Sequence, residues 1–126
     1  MPTYESDWTE NLSLHASSSI ANGANEVNDL DLAGSGYYGA IVQVDIDIPS
    51  GSPAGDVTVE VFRSADGGTS VDTIPAQKVA LPFTTTGNKK QSIVVDGPWN
   101  RVKVSNGTGA TLTYVGRWAG LKQVSA

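Results

Sequence analysis

Between residues 37 and 48 apolar and polar side chains alternate. Tyr38, Ala40, Val42, Val44, Ile46 and Ile48 fall on one side of a period-two ribbon, and Gln43, Asp45 and Asp47 on the other. A helix would scatter those six apolar groups around its circumference, so the stretch predicts a strand with one buried and one wet face. Its length makes it the central strand against which others are laid.

The same alternation returns along the chain, broken by turn residues. Residues 11–20 predict a strand with Leu12, Leu14, Ala16 and Ser18 on one face, closed by the hairpin dipeptide Asn22-Gly23. Residues 26–33 predict a short strand, and residues 56–63 another with Val57, Val59 and Val61 inward. Asp66, Gly67 and Gly68 supply the positive φ of a tight reversal, which predicts a hairpin into a short strand at 71–75. A further strand is expected at 77–83, and Pro75 and Pro82 place both at sheet edges. Residues 84–90 read as a loop and 91–95 as a strand. Residues 99–105 set Val102 and Val104 against Arg101 and Lys103, and Leu112, Tyr114, Gly116 and Trp118 share a face of the last strand.

About eight or nine short strands with no convincing helix predict an all-β protein, an antiparallel β-sandwich of jelly-roll-like form. Residues 1–10, acidic around Tyr4 and Trp8, predict an N-terminal arm; residues 11–126 predict a single β-sandwich domain.

With 126 residues the chain buries a working core without metal or disulfide staples. The absence of cysteine removes disulfides, Cys-based zinc sites and thiol nucleophiles. No apolar run approaches the roughly 20 residues of a membrane-spanning helix, and the acidic start is unlike a secretory signal. Synthesis in the cytosol without export by a cleaved signal, and no membrane partner, are the expectations.

The net charge of −5 conceals an asymmetry: residues 1–60 hold ten carboxylates and no Lys or Arg, whereas residues 61–126 hold three carboxylates and all eight basic side chains. Either strands of the two halves interleave and neutralise each other, or an acidic and a basic face steer copies or a partner together. The acidic balance, with Lys89-Lys90 as the one adjacent basic pair, argues against nucleic acid.

Candidate chemistry is thin. Gly34, Gly36 and Gly39 match G-x-G-x-x-G, but they lead into the strongest strand instead of a helix, so no dinucleotide cofactor is expected. His15 is the single histidine, placed on the face opposite Leu12 and Leu14 as a surface or interface residue; alone it builds neither a metal site nor a triad. Asp29 with Asp31, and Asp45 with Asp47, put two carboxylates on one side of a strand, an arrangement that serves a cation, an acid–base pair or a solvated face meeting Lys and Arg. The solvated face is the reading taken: no catalytic residue, metal or cofactor is expected. Trp99, after a Gly-Pro turn, is the tryptophan expected to be exposed. Interface residues are therefore sought at Tyr4, Trp8, His15, Trp99, Arg101 and Lys103. The sequons at Asn11 and Asn106 read as chance matches.

Three segments carry a resemblance: Gly36 to Ile48 with its Gly-Tyr start and Val-Asp alternation, Asp56 to Gly68 ending in Ser-Ala-Asp-Gly-Gly, and Trp99 to Gly109 with Arg-Val-Lys-Val. This succession resembles the small β-sandwich virion structural proteins of tailed bacteriophages, of the capsid-decoration or neck and tail accessory type. The resemblance implies a non-enzymatic protein located in the virion, bound to the major capsid protein or other virion proteins, and self-associating as a homo-oligomer. It carries over no catalytic residue. The rival expectation is a carbohydrate-binding β-sandwich module in host recognition, with aromatic side chains as the platform.

Overall fold

The computed structural model describes residues 4–125, with side chains placed for residues 8–122. The chain runs through β1 (Tyr4–Ile20), β2 (Asn25–Asp31), a single helical turn α1 (Leu32–Ser35), β3 (Gly39–Ile48), β4 (Gly55–Arg63), β5 (Gln77–Phe83), β6 (Gly87–Asp96), β7 (Trp99–Asn106) and β8 (Leu112–Ser125). Two four-stranded sheets result, sheet A in the order β1-β8-β3-β6 and sheet B in the order β2-β7-β4-β5. All ladders are antiparallel, and β1 pairs with β8, β2 with β7, β3 with β6 and β4 with β5. A long ribbon of two half-chains, folded over on itself, gives this order, and it is the jelly roll.

That topology resolves the charge asymmetry. In both sheets every strand of the acidic half lies beside strands of the basic half. Asp29 meets Arg101 at 2.8 Å, and Asp45 meets Arg117 at 3.3 Å. Glu60 stands opposite both Lys103 and Lys78, and Asp45 opposite Lys90. Pairing acidic strands with one another would set carboxylate against carboxylate. Each exposed pair adds little stability by itself; together they disfavour wrong strand neighbours.

The core lies between the sheets. Burial alternates through all ten residues of β3, as the sequence predicts, and Val42, Val44, Ile46 and Ile48 join Val57, Val59, Val61, Val102, Val104 and Leu112 in one cluster. Burying each such side chain stabilises the fold by about 1.5–3 kcal/mol. On β8 the inward positions alternate between large and absent side chains. A Cβ on Gly116 would lie 2.6 Å from the Tyr114 hydroxyl, and one on Gly120 would meet the rings of Tyr37 and Trp118. Those two rings make an edge-on pair with centroids 5.2 Å apart, so Trp118 packs against the core as its face predicts. Burial pushes the Tyr114 phenol well above its ordinary range, with nearby Glu26 adding to the effect, so this group stays neutral.

Three segments differ from the sequence reading. Leu32 and Ala33, expected to end the second strand, lie in the helical turn α1. Residues 71–75 form no strand, and the strands number eight among the described residues. Here the Ser64 hydroxyl accepts from Gly68 N at 2.9 Å and donates to Asp66 Oδ1, which accepts from Ser70 N at 2.8 Å. Gly67 and Gly68 do take positive φ, but these side-chain bonds wind the chain into a loop in place of a tight hairpin. Residues 87–90, expected as loop, open β6: Asn88, Lys89 and Lys90 pair with Asp47, Ile46 and Asp45. The ladder to β3 overrides their polar composition. Pro82 lies on β5, an edge strand as predicted.

The Ser70 amide and the Ser64 hydroxyl hold the Asp66 carboxyl below its ordinary value of 3.8. A depressed carboxylate stabilises the fold above that ordinary value, and the contribution is lost as pH falls through the lowered one. Urea midpoints of Asp66→Ala are therefore expected to fall less steeply than those of the wild type between about pH 5 and about pH 2.5. Equal slopes would contradict this role.

Candidate functional site

The outer face of sheet A is built from rows of side chains on neighbouring strands. Ile41 stands opposite Val94 on one side and Ala119 on the other, which makes an apolar row across β6, β3 and β8. The adjacent row sets Leu121 beside Gly39 and opposite Trp8. Val94 is 68% exposed and Trp8 42%, so the two rows form an open apolar surface.

Trp8 belongs to an extension of the sheet. The β3–β8 ladder ends at Gly39↔Leu121, whereas β1 and β8 continue to pair as far as Tyr4↔Ser125. Backbone at both ends of the described chain thus runs past the sandwich as a two-stranded ribbon. The boundary expected between residues 10 and 11 falls inside β1, where the register shifts between Thr9 and Leu12.

That shift is a β-bulge: Glu10 and Asn11 together stand against Ala119. Asn11 takes φ +56°, the left-handed region, and is the one non-glycine residue to do so among those described. Asparagine tolerates this conformation better than most residues. Beside it lies the next row of the sheet, Ser92 opposite Gln43 opposite Arg117. Asn11, Ile41, Ala119 and this polar row, with Trp118, line a shallow groove of about 250 Å³. Arg117 Nη1 reaches Asp45 Oδ2 at 3.3 Å, and Asn88 donates to Asp45 Oδ1 at 2.6 Å.

The outer face of sheet B is more ionic. Arg101 donates from Nε to Asp29 Oδ1 at 2.8 Å and from Nη2 to Oδ2 at 3.1 Å. The hydrogen bond to Asp29 raises the basicity of a guanidinium that is already charged at all ordinary pH. Arg101 and Lys103 line a second groove, of about 330 Å³, with Val27, Phe62, Val71 and Asp72.

The predicted interface residues therefore separate. Arg101 and Lys103 share the sheet B face, and Trp8 is exposed on the ribbon. The side chain of Tyr4 lies outside the described residues. Trp99, expected to be exposed, is 6% exposed. It points outward from β7, but the 64–70 loop closes over it: a Cβ on Gly68 would come within 2.8 Å of the indole, and the Arg101 guanidinium lies 5.2 Å from the ring centre. His15, expected on the surface, has a side chain 12% exposed and stacked on Tyr114 at 4.8 Å. Register shifts on both sides of it reverse the alternation of β1 and turn it inward, where Ser18 lies 2.6 Å from Nε2 and the Asn28 amide 3.2 Å from Nδ1.

Three of the four paired carboxylates are occupied. Asp29 and Asp45 each hold an arginine, and Asp31 caps α1 by accepting from Gly34 N at 2.8 Å. Gly36 ends that turn with φ +80°, so the G-x-G-x-x-G letters span a helical turn and a strand entry. Among the described residues no three His, Cys, Asp or Glu side chains gather as a metal site. The sequence reading missed Asn11, Ser92 and Arg117 as neighbours of Gln43.

A scan against protein-family models finds no match, and a search of curated proteins finds none. Solved structures do match. A mitogen derived from Yersinia pseudotuberculosis superposes with a TM-score of 0.52 at 11% identity, over 94% of this chain and 86% of that one. BuGH86 in complex with neoagarooctaose gives 0.52 at 13% identity, over 96% of this chain and 20% of that one, so the chain spans one fifth of that protein. A chain from the structure of infectious bursal disease virus Gx strain gives 0.45 at 10% identity, over 96% of this chain and 32% of that one. At these identities the likeness is one of fold: the chain is a β-sandwich of a kind found in proteins of differing roles. The resemblance to tailed-phage proteins, read from turns and alternation, has no sequence match beside it.

Proposed function

We propose that the protein is a non-enzymatic structural protein of a tailed-phage virion, attaching to the capsid or head–tail surface and to copies of itself. The observation that supports this most is the open apolar surface of Trp8, Leu121, Ala119, Ile41 and Val94, continuous with the ribbon that runs past the sandwich. Apolar side chains presented on a flat, hydrogen-bonded frame lose little entropy on contact, which favours adhesion. The outer edges of β6 and β5 add main-chain donors and acceptors for a neighbouring strand, apart from the Val94 and Pro82 carbonyls, which accept from Gln77 and Lys89. The reading takes Asp29 and Asp45 as structural carboxylates, since each is held by an arginine.

Cosedimentation of the purified chain with tailed-phage heads tests the proposal. The wild type is expected to pellet with heads, and Trp8→Ala, folded by circular dichroism, to lose at least about tenfold in affinity, as for a central aromatic contact. A wild type that stays in the supernatant with every head preparation would overturn it.

A further inference from the structure

We infer that the groove on the outer face of sheet A is a binding site for an uncharged saccharide. The inference goes beyond the attachment reading and does not depend on it.

Two adjacent rows of the sheet meet in this groove. Ile41 and Ala119 give it an apolar floor, and Ser92, Gln43 and Arg117 give it a hydrogen-bonding rim. A sugar ring has the matching chemistry, with C–H groups on its face and hydroxyls around its edge. The rim amides and hydroxyl are uncommitted: the side chains of Asn11, Gln43 and Ser92 make no hydrogen bond among the described residues. Each amide offers a donor and an acceptor in one plane, which suits neighbouring hydroxyls.

Charge narrows the ligand class. Arg117 is tied to Asp45, whose other oxygen is taken by Asn88. An anion would compete with Asp45 for Arg117, and a cation would meet the guanidinium, so the rim favours a neutral molecule. A peptide strand is disfavoured for another reason. β3 lies between β8 and β6, and β8 between β1 and β3, so the backbone that carries the floor residues Ile41 and Ala119 is paired on both sides and unavailable for strand addition. The volume of about 250 Å³ lies just below the ordinary range of small-molecule pockets, roughly 300–1,000 Å³, and suits a single sugar residue.

The bulge at Asn11 is the second, independent observation. It is one of three register shifts in the β1–β8 ladder, and the one that lies beside the groove that Asn11 lines. Bulges re-aim side chains, and a left-handed residue next to a cleft marks a position whose geometry is specified.

The test is an amide-detected NMR titration of the intact chain with a panel of neutral monosaccharides and disaccharides and with glucuronic acid. At least one neutral sugar is expected to shift Ile41, Gln43, Arg117 and Ala119 and to saturate in the millimolar range, about −4 kcal/mol. Gln43→Ala and Asn11→Gly should each weaken that sugar at least about fivefold with an unchanged fold, since glycine keeps the left-handed backbone and removes only the amide. Lys103→Ala, on the outer face of sheet B, should leave it unchanged. The inference is overturned if no neutral sugar shifts these residues, if glucuronic acid binds more tightly than every neutral sugar, or if neither rim variant weakens binding.

Discussion

Asn106→Ala is expected to lower the free energy of unfolding by about 3–4 kcal/mol, a large effect for one polar side chain. Asn106 is 2% exposed at the end of β7, and its amide ties three segments together. Nδ2 donates to Ile20 O at 2.9 Å and to Ala110 O at 2.7 Å, while Oδ1 accepts from Thr108 N at 3.0 Å and from Thr108 Oγ1 at 2.7 Å. The end of β1, the turn after β7 and the approach to β8 thus share one hub. Truncation leaves the Ile20 carbonyl and the Thr108 amide buried without it, each at about 1–3 kcal/mol. Asn106→Asp is expected to be no better, because a carboxylate would face the two carbonyl oxygens. Urea unfolding followed by tryptophan fluorescence reads both; a loss under about 1 kcal/mol would refute the hub. The same burial closes the Asn106 sequon to glycosylation in the folded chain.

Gly55→Ala is expected to cost about 3 kcal/mol through overpacking. The backbone of Gly55 is not left-handed, so the cost is steric: a Cβ there would sit well inside 3.0 Å of the Gly107 carbonyl oxygen, which is main chain and cannot swing aside. Gly23→Ala is the informative contrast. Gly23 has φ +81° with open space around its missing Cβ, and its substitution should cost about 1–2 kcal/mol from conformation alone. A Gly55→Ala variant no less stable than Gly23→Ala would contradict the close approach of β4 to the β7–β8 turn. Because Gly107 follows Asn106, the two large effects should not add in the double variant.

The fold was legible where alternation was long. Ten alternating residues from Gly39 leave no other way to bury Val42, Val44, Ile46 and Ile48, and the charge imbalance between half-chains matches a topology that lays one half against the other. Short segments carried less information: residues 71–75 hold the β-branched Val71, Thr73 and Ile74, yet the Ser64 and Asp66 side chains capture the backbone first.

The site was less legible because alternation reports parity and nothing about interruptions. Arg101 and Lys103 fell on the wet face by counting from Val102, and the structure keeps them there. Counting failed at His15, since two register shifts in β1 reverse parity without any signal in the letters. Trp99 was expected in the open because it follows a Gly-Pro turn, but a loop distant in sequence covers it. The groove draws on β1, β3, β6 and β8, which only the folded order of sheet A brings together.

Light scattering across a concentration series, on the wild type beside Trp8→Ala, tests most directly whether this molecule works by adhesion. The account predicts a mass of several chains for the wild type that returns toward that of one chain when the indole is removed. A wild type that keeps the mass of a single chain at the highest concentration reached would contradict it.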